Sequence, residues 1–252
     1  MSIEKNEFLV HAIPVLQDNI VWILVKRNQA IVIDPSVSEP IRNWLLKRKI
    51  ELKAILQTHH HEDHIGGTQQ LLLEWPSTDV IASKTDLDRI PLQNISVKHG
   101  DNLIILGYEV KVIEIPGHTS THIGFFIKEP IHNKKPILFC GDTLFGGGCG
   151  RLFEGTPEEM FKSLLLLNSL PSETQIFCGH EYTEGNLKWA NSLYPKDISI
   201  IKRLKEVSRK RSLGFLSLPS TLKEERETNL FIRAKSIKEF IILRKHKDNW
   251  KG

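Results

Sequence analysis

Apolar residues in this chain come first in short continuous runs and only later with helical spacing. Phe8-Leu9-Val10, residues 20–25 and residues 30–33 are apolar, divided by Pro14, Asp18-Asn19 and Asn28. Such runs between turn residues predict three strands buried on both faces. Asp34-Pro35-Ser36 ends the third. Ser38 then caps a helix reaching about Lys49, with Pro40 in its first turn. A strand over 53–57 leads into a polar turn and a helix to about Trp75. Further strands are predicted over 79–82, over 95–115 with breaks at 99–102 and Gly107, and over 123–127 and 137–140. Thr156-Pro157-Glu158-Glu159 starts a helix to about Leu170: Thr156 caps, Pro157 takes the first helical position and Glu159 completes a capping box. The last predicted strand is 175–178. Beyond Tyr182 the pattern becomes helical, over 183–192, 198–210 and 236–247, with looser Pro- and Gly-containing stretches between. No internal repeat or low-complexity tract interrupts it.

Length and composition narrow the class. A chain of 252 residues holds one large domain, or a domain with a smaller partner. Hydrophobic content of 40% and charged content of 25% are ordinary for a globular protein. No segment approaches roughly 20 uninterrupted apolar residues, so no helical membrane span is expected. Met1-Ser2-Ile3-Glu4-Lys5-Asn6-Glu7 lacks the basic start and apolar core of a signal peptide. Cys140, Cys149 and Cys178 form an odd, sparse set without a C-x-x-C, read as reduced thiols; the expected compartment is the cytoplasm. Charge is uneven. Residues 196–252 carry 16 Lys and Arg against 7 Asp and Glu, a net +9, while residues 1–195 carry 18 against 23, a net −5. Basic modules meet nucleic acid, anionic membranes or anionic small molecules, or are simply solvated helical surfaces.

The chemistry concentrates after the strand at 53–57. Thr58-His59-His60-His61-Glu62-Asp63-His64-Ile65-Gly66-Gly67 contains an H-x-H-x-D-H pattern. Imidazole and carboxylate together suit zinc, iron or manganese, and a tight turn at a strand end is held by the sheet behind it. The same grammar recurs. Apolar strands run into short turns that present His118 after Pro116-Gly117, Asp142 after Gly141 and His180 after Gly179. A lone histidine after a strand is usually an ordinary hydrogen-bonded residue; four strand ends alike are evidence for one metal site along one sheet edge. His59, His61, Asp63, His64, His118, Asp142 and His180 are too many ligands for one tetrahedral ion and suit two with a shared carboxylate. The natural partition gives His59, His61 and His118 to one ion and Asp63, His64 and His180 to the other, with Asp142 bridging. Room for water on each marks a catalytic site. Hydroxide held between two cations is a nucleophile near neutral pH and acts with Asp63 and Asp142 as the catalytic centre.

Neighbouring residues have plainer readings. His60 alternates away from the ligand direction. His122 and Thr119 support the His118 turn. Cys140 and Cys178 fill core, and Cys149 is not needed as a nucleophile beside metal hydroxide. Gly146-Gly147-Gly148 lacks the Lys-Ser/Thr of a phosphate loop. His11, His99, His132 and His246 have no motif around them.

Taken in order and spacing, the H-x-H-x-D-H motif, Pro116-Gly117-His118-Thr119, Gly141-Asp142-Thr143 and Gly179-His180 resemble the metallo-β-lactamase superfamily. That likeness implies an α/β (α+β) fold, an αββα sandwich with metals at one edge. Within it the chain resembles glyoxalase II, the hydroxyacylglutathione hydrolases. The carriers are Gly141-Asp142-Thr143-Leu144-Phe145, Gly148-Cys149-Gly150-Arg151, Phe153-Glu154-Gly155-Thr156-Pro157 and Cys178-Gly179-His180-Glu181-Tyr182-Thr183. Asn229-Leu230-Phe231-Ile232-Arg233 and Arg244-Lys245-His246-Lys247-Asp248 extend the likeness into the tail.

The resemblance implies a catalytic domain over 1–172, its last ligand His180 following at the junction, and a helical, basic substrate-binding domain over 173–252. It also implies the same seven ligands, and glutathione contacts at Arg151, Phe153, Tyr182, Arg244 and Lys247. Two positions depart from the family's pattern: Phe153 stands where Tyr is frequent, and Leu230 stands where Asn-Pro-Phe is usual. The expected cofactors are two divalent ions, zinc first, with iron or manganese as alternatives. The expected substrate is an S-(2-hydroxyacyl)glutathione, typically S-D-lactoylglutathione, hydrolysed to glutathione and D-lactate in methylglyoxal detoxification. A monomer is expected, acting on a small molecule without nucleic acid or membrane. Other readings remain: a nuclease, β-lactamase or iron persulfide dioxygenase on the same fold, or a non-enzymatic metal-binding protein.

Overall fold

The computed structural model describes residues 8–129 and 135–251; the polar segment 1–7 and His132 lie outside them. The chain forms two compact units, one of residues 1–114 and 123–134, the other of residues 115–122 and 135–252.

In the first unit, β1 (Phe8–Val15), β2 (Asn19–Lys26) and β3 (Gln29–Ile33) pair antiparallel. Next come α1 (Glu39–Arg48), β4 (Glu51–Leu56), α2 (Glu62–Ile65), α3 (Thr68–Glu74), β5 (Asp79–Ser83) and β6 (Ile95–Val97). From β3 to β6 the pairing is parallel, because each strand is followed by a crossover segment that returns the chain to the same end. Every residue of β2 except Lys26 is buried. Val21, Ile23, Val32, Ile55 and Val80 of this sheet meet Ile41 and Leu45 of α1 and Leu71 of α3 in one core. β7 (Asn102–Ile105), β8 (Tyr108–Glu114) and β9 (Ile123–Ile127) form an antiparallel meander.

Two expectations change in this unit. Ser38 makes no side-chain cap; α1 starts on Glu39 and Pro40 and ends at Lys49 in the left-handed conformation. The helix expected after the polar turn is α3, and the turn before it holds a further helical turn, α2. Gly66 and Gly67 lie between the two, where the chain presses on the 35–38 backbone. A Cβ on Gly66 would lie 2.9 Å from the Ser36 carbonyl, and one on Gly67 2.6 Å from the Val37 carbonyl carbon.

The second unit contains β10 (Ile137–Gly141), the two-residue strands β11 (Leu144–Phe145) and β12 (Gly148–Cys149), α4 (Pro157–Asn168) and β13 (Gln175–Cys178). It continues with α5 (Thr183–Leu193), α6 (Ile198–Ser212), β14 (Ser220–Thr221), α7 (Leu222–Thr228), α8 (Leu230–Arg233) and α9 (Ile237–Asp248). β10 and β13 pair parallel, and β14 joins β13 antiparallel. The capping box at Thr156 and Glu159 is formed as the sequence predicts. Trp189, Phe231 and Phe240 are fully buried, the first two stacked with ring centroids 5.1 Å apart. β11, β12, β14, α7 and α8 carry no strong sequence pattern and are found only in the structure. Among the described residues, no helix is long and apolar enough to cross a membrane.

Candidate metal centre

In the first unit, the H-x-H-x-D-H turn is organised by a buried carboxylate at the end of β3. Asp34 is 3% exposed and sits at φ 50°, an unusual conformation for a residue with a side chain. Its Oδ1 accepts from the Thr58 backbone N–H at 2.8 Å, and its Oδ2 from the Thr58 hydroxyl at 2.7 Å. Having given its proton to a carboxylate, that hydroxyl accepts from Nδ1 of His59 at 3.0 Å. Asp34 Oδ2 also lies 3.1 Å from Nδ1 of His64. Both rings are therefore protonated on Nδ1 and turn a lone pair on Nε2 outward.

Those lone pairs face other candidate ligands. His59 Nε2 lies 3.2 Å from Nδ1 of His61, and His64 Nε2 lies 3.7 Å from Oδ2 of Asp63. Asn19 donates to Asp63 twice, to its carbonyl at 3.1 Å and its carboxylate at 3.0 Å. A cavity of about 520 Å³ reaches Asp63 from the side of Leu16. Asp34, His59 and His64 are close enough to be read as a ligand group themselves. The hydrogen bonds decide otherwise, since both Asp34 oxygens are committed to Thr58 and His64. Asp34 is not among the residues the sequence pattern marks, although β3 into Asp34-Pro35 repeats the apolar-strand-then-polar-turn grammar of the other sites.

In the second unit, His118 follows Pro116-Gly117, Asp142 follows β10 and His180 follows β13. Asp142 Oδ2 lies 3.5 Å from Nε2 of His118 and 3.2 Å from Nε2 of His180. His118 donates through Nδ1 to the carbonyl of Arg151 at 2.8 Å, which again leaves the Nε2 lone pair available to a metal. Gly150 is required at this point, because a Cβ there would collide with the Asp142 carbonyl and sit 3.0 Å from Nδ1 of His118. His122 accepts from the Asp142 N–H at 3.1 Å, so it supports the Asp142 turn, not only its own.

These spacings fit metal ions. Four ligands at about 2.1 Å in a tetrahedron lie about 3.4 Å apart, and the four pairs above span 3.2 to 3.7 Å. Neutral imidazoles with carboxylates are a donor set for zinc, iron or manganese. His60 stands outside it, held between Asp86 and Arg89.

The residues expected to bind substrate all lie in the second unit. Phe153 is 61% exposed and stands edge-on to His118 with centroids 5.2 Å apart. Tyr182 stacks flat on His180 at 4.8 Å. Arg151 is exposed, its Nε 3.8 Å from Asp248. Arg244 is only 6% exposed. Its guanidinium is divided between Asp248 at 2.8 Å and the Cys149 carbonyl at 3.1 Å. Lys247 lies over the rings of Trp250 and Trp189, and burial, then the charge of Arg244, lower its pKa to about 8. Burial pushes the Cys149 thiol up to about 11, with Arg244 opposing the shift.

Comparison with known proteins accounts for the whole length. The model of the metallo-β-lactamase superfamily matches residues 14–180, and that of the hydroxyacylglutathione hydrolase C-terminus matches residues 181–250. A hydroxyacylglutathione hydrolase of Prochlorococcus marinus is 60% identical over 253 residues, covering all of both chains. The solved structure of ETHE1 from Myxococcus xanthus superposes with a TM-score of 0.71 at 22% identity, over 96% of this chain and 92% of that one; this likeness shows the metallo-β-lactamase fold. Another solved structure, of a protein in a di-iron-bound form, has a TM-score of 0.56 at 27% identity, over 68% of this chain and 91% of that one.

Proposed function

The chain belongs to the hydroxyacylglutathione hydrolases of the metallo-β-lactamase superfamily, and from that premise we propose how its residues carry the reaction. It is a thioester hydrolase acting on S-(2-hydroxyacyl)glutathione, and its His/Asp clusters bind divalent metal. We take the substrate to be S-D-lactoylglutathione. Water adds across the thioester: oxygen bonds to the acyl carbon, sulfur leaves as glutathione thiolate and D-lactate is released.

In this proposal His59, His61 and His118 would hold one ion and Asp63, His64 and His180 a second. Asp142 would serve both, which accords with one of its oxygens lying near Nε2 of His118 and of His180. The di-iron-bound relative in fold supports the count. Divalent ions held there lower the pKa of water to about 7 and stabilise negative charge on the thioester oxygen. The protein's own part is orientation. Asp34, through Thr58 and directly, fixes the rings of His59 and His64, and the Arg151 carbonyl fixes that of His118.

Residues 1–172 with His180 carry the chemistry in this reading, and residues 173–252, together with Arg151 and Phe153, hold glutathione. Arg151 and Lys247 supply exposed or half-exposed positive charge for its carboxylates, and Tyr182 a flat face beside His180. Phe153 offers a ring where a hydroxyl is frequent in relatives. A cytoplasmic monomer is part of the proposal; no disulfide joins the three buried cysteines. The observation that carries the reading is the 3.2–3.7 Å spacing of the candidate ligand atoms, with the rings of His59, His64 and His118 oriented through Nδ1. S-D-lactoylglutathione hydrolysis that is lost on chelation and restored by Zn²⁺ supports it. Turnover that survives complete removal of metal contradicts it.

A further inference from the structure

We propose that Glu225 and Asn229, in the C-terminal helices, are positioning residues for the metal ligands His118 and Asp142, acting through the β11–β12 hairpin. The proposal rests on the ligand assignment above and goes beyond it, since neither residue touches a ligand or the substrate.

The hairpin turns at Gly146-Gly147, and its polar groups there are met by side chains. Gly147 N–H donates to Glu225 Oε2 at 2.8 Å. Asn229 Nδ2 shares its two hydrogens among the Gly148 carbonyl at 2.9 Å, Glu225 Oε2 at 3.0 Å and the Phe145 carbonyl at 3.3 Å. Asn186 of α5 takes the Gly146 carbonyl at 3.0 Å. Glu225 and Asn229 are both 0% exposed. The other Glu225 oxygen pairs with Arg203 of α6 at 2.6 Å. A buried ion pair is weak evidence for stability, because desolvation offsets much of its attraction. What this one does in geometry is definite: it aims a carboxylate at the backbone of a glycine turn.

Both ends of the hairpin reach the ligands. It begins two residues after Asp142 and leaves through Gly150, whose N–H bonds the Thr143 carbonyl at 3.3 Å. Next in the chain is Arg151, whose carbonyl takes the Nδ1 proton of His118. The hydrogen bond that fixes the His118 tautomer is thus set by where the hairpin sits, and Glu225 and Asn229 set where it sits. Groups that orient a ligand from outside the coordination shell alter metal affinity or activity about 10- to 100-fold when lost.

Asn229→Asp keeps the size and removes the two amide hydrogens; Asn229→Ala and Glu225→Gln are made beside it. Ile200→Ala, in the buried face of α6, is the control for lost stability alone. Each protein is measured for Tm, for zinc retained against a chelator, and for kcat and KM on S-D-lactoylglutathione. The expected result is zinc affinity or kcat lowered about 10- to 100-fold in the Asn229 and Glu225 variants, with KM within twofold of wild type and normal zinc retention in Ile200→Ala. Unchanged zinc retention and kcat in any folded Asn229 variant overturns the proposal. So does a loss that Ile200→Ala reproduces at equal Tm, or a rise in KM alone. If both Asn229 variants fail to fold, Glu225→Gln decides by the same criteria, and its failure to fold as well assigns these residues to stability and overturns the positioning role. Wild-type protein that binds no zinc overturns this proposal together with the ligand assignment, and is told apart from the other outcomes by that measurement.

Discussion

Asp34 and His64 are joined by a 3.1 Å contact between Oδ2 and Nδ1, at the end of a strand thirty residues upstream of the ligand it orients. Because Asp34 also holds Thr58, and Thr58 holds His59, one carboxylate fixes two rings. Asp34→Asn keeps the volume but gives one of these positions a donor where an acceptor is needed. The expected result is metal affinity lowered about 10- to 100-fold with the fold retained, read by competition with a chelator. Unchanged affinity removes Asp34 from this role.

Lys247 predicts a pH dependence. Its pKa is lowered to about 8, so it is charged below that value and neutral above it. A charged Lys247 is the form that attracts a glutathione carboxylate. kcat/KM for S-D-lactoylglutathione is therefore expected to fall as pH rises through about 8, since this ratio reports the free enzyme. Lys247→Arg, charged throughout, is expected to move that limb to higher pH. An identical profile in Lys247→Arg excludes Lys247 as its origin.

Arg244 and Lys247 share a helix and differ in exposure, so their losses should differ in kind. Lys247→Ala is expected to raise KM for lactoylglutathione and leave kcat and metal content nearly unchanged, the signature of a contact remote from the reacting carbonyl. A simple thioester lacking the glutathione carboxylates should be hydrolysed equally by variant and wild type. Arg244→Ala removes the donor to the Cys149 carbonyl and the nearer of the two arginines at Asp248. It is expected to cost about 1–3 kcal/mol of stability and to lower Tm as well. Equal kinetic losses on both thioesters for Lys247→Ala would remove the substrate contact.

Cys149 has a thiol pKa raised to about 11 by burial, so it is protonated at neutral pH and unsuited to attack a thioester. Cys149→Ser is expected to change turnover by less than about threefold, a loss of transition-state stabilisation under about 1 kcal/mol. An acyl-enzyme seen by mass spectrometry during turnover contradicts this.

The seven proposed ligands stand out in the sequence because they fall in four turns that follow apolar strands, and a sheet edge leaves such turns few alternatives. Asp34 obeys the same rule but reads as an ordinary Asp-Pro turn; only its burial reveals it. Glu225 lies in Lys223-Glu224-Glu225-Arg226-Glu227, which hydropathy assigns to a solvated face, yet it is 0% exposed. Pattern reading ranks charged residues as surface, so a buried charge with partners from α6 and the glycine turn is invisible to it. The burial of Arg244, which the resemblance places among the glutathione contacts, is hidden for the same reason. The start of α7 did carry a signal, Thr221 with Glu224, and the capping box is formed; the short helix behind it gave too little periodicity to support a prediction. The helix predicted to about Trp75 is present as α3, but the helical turn α2 inside the motif carries no periodicity to reveal it.

Metal content measured on the same sample as turnover tests the central claim most directly. Metal-free protein is titrated with Zn²⁺ while bound metal per chain and S-D-lactoylglutathione hydrolysis are followed together, for wild type and Asp142→Ala. The account predicts that wild-type activity reaches its maximum at two ions per chain, and that Asp142→Ala binds both weakly and does not turn over. Full activity at one ion per chain, or normal turnover by Asp142→Ala, contradicts it.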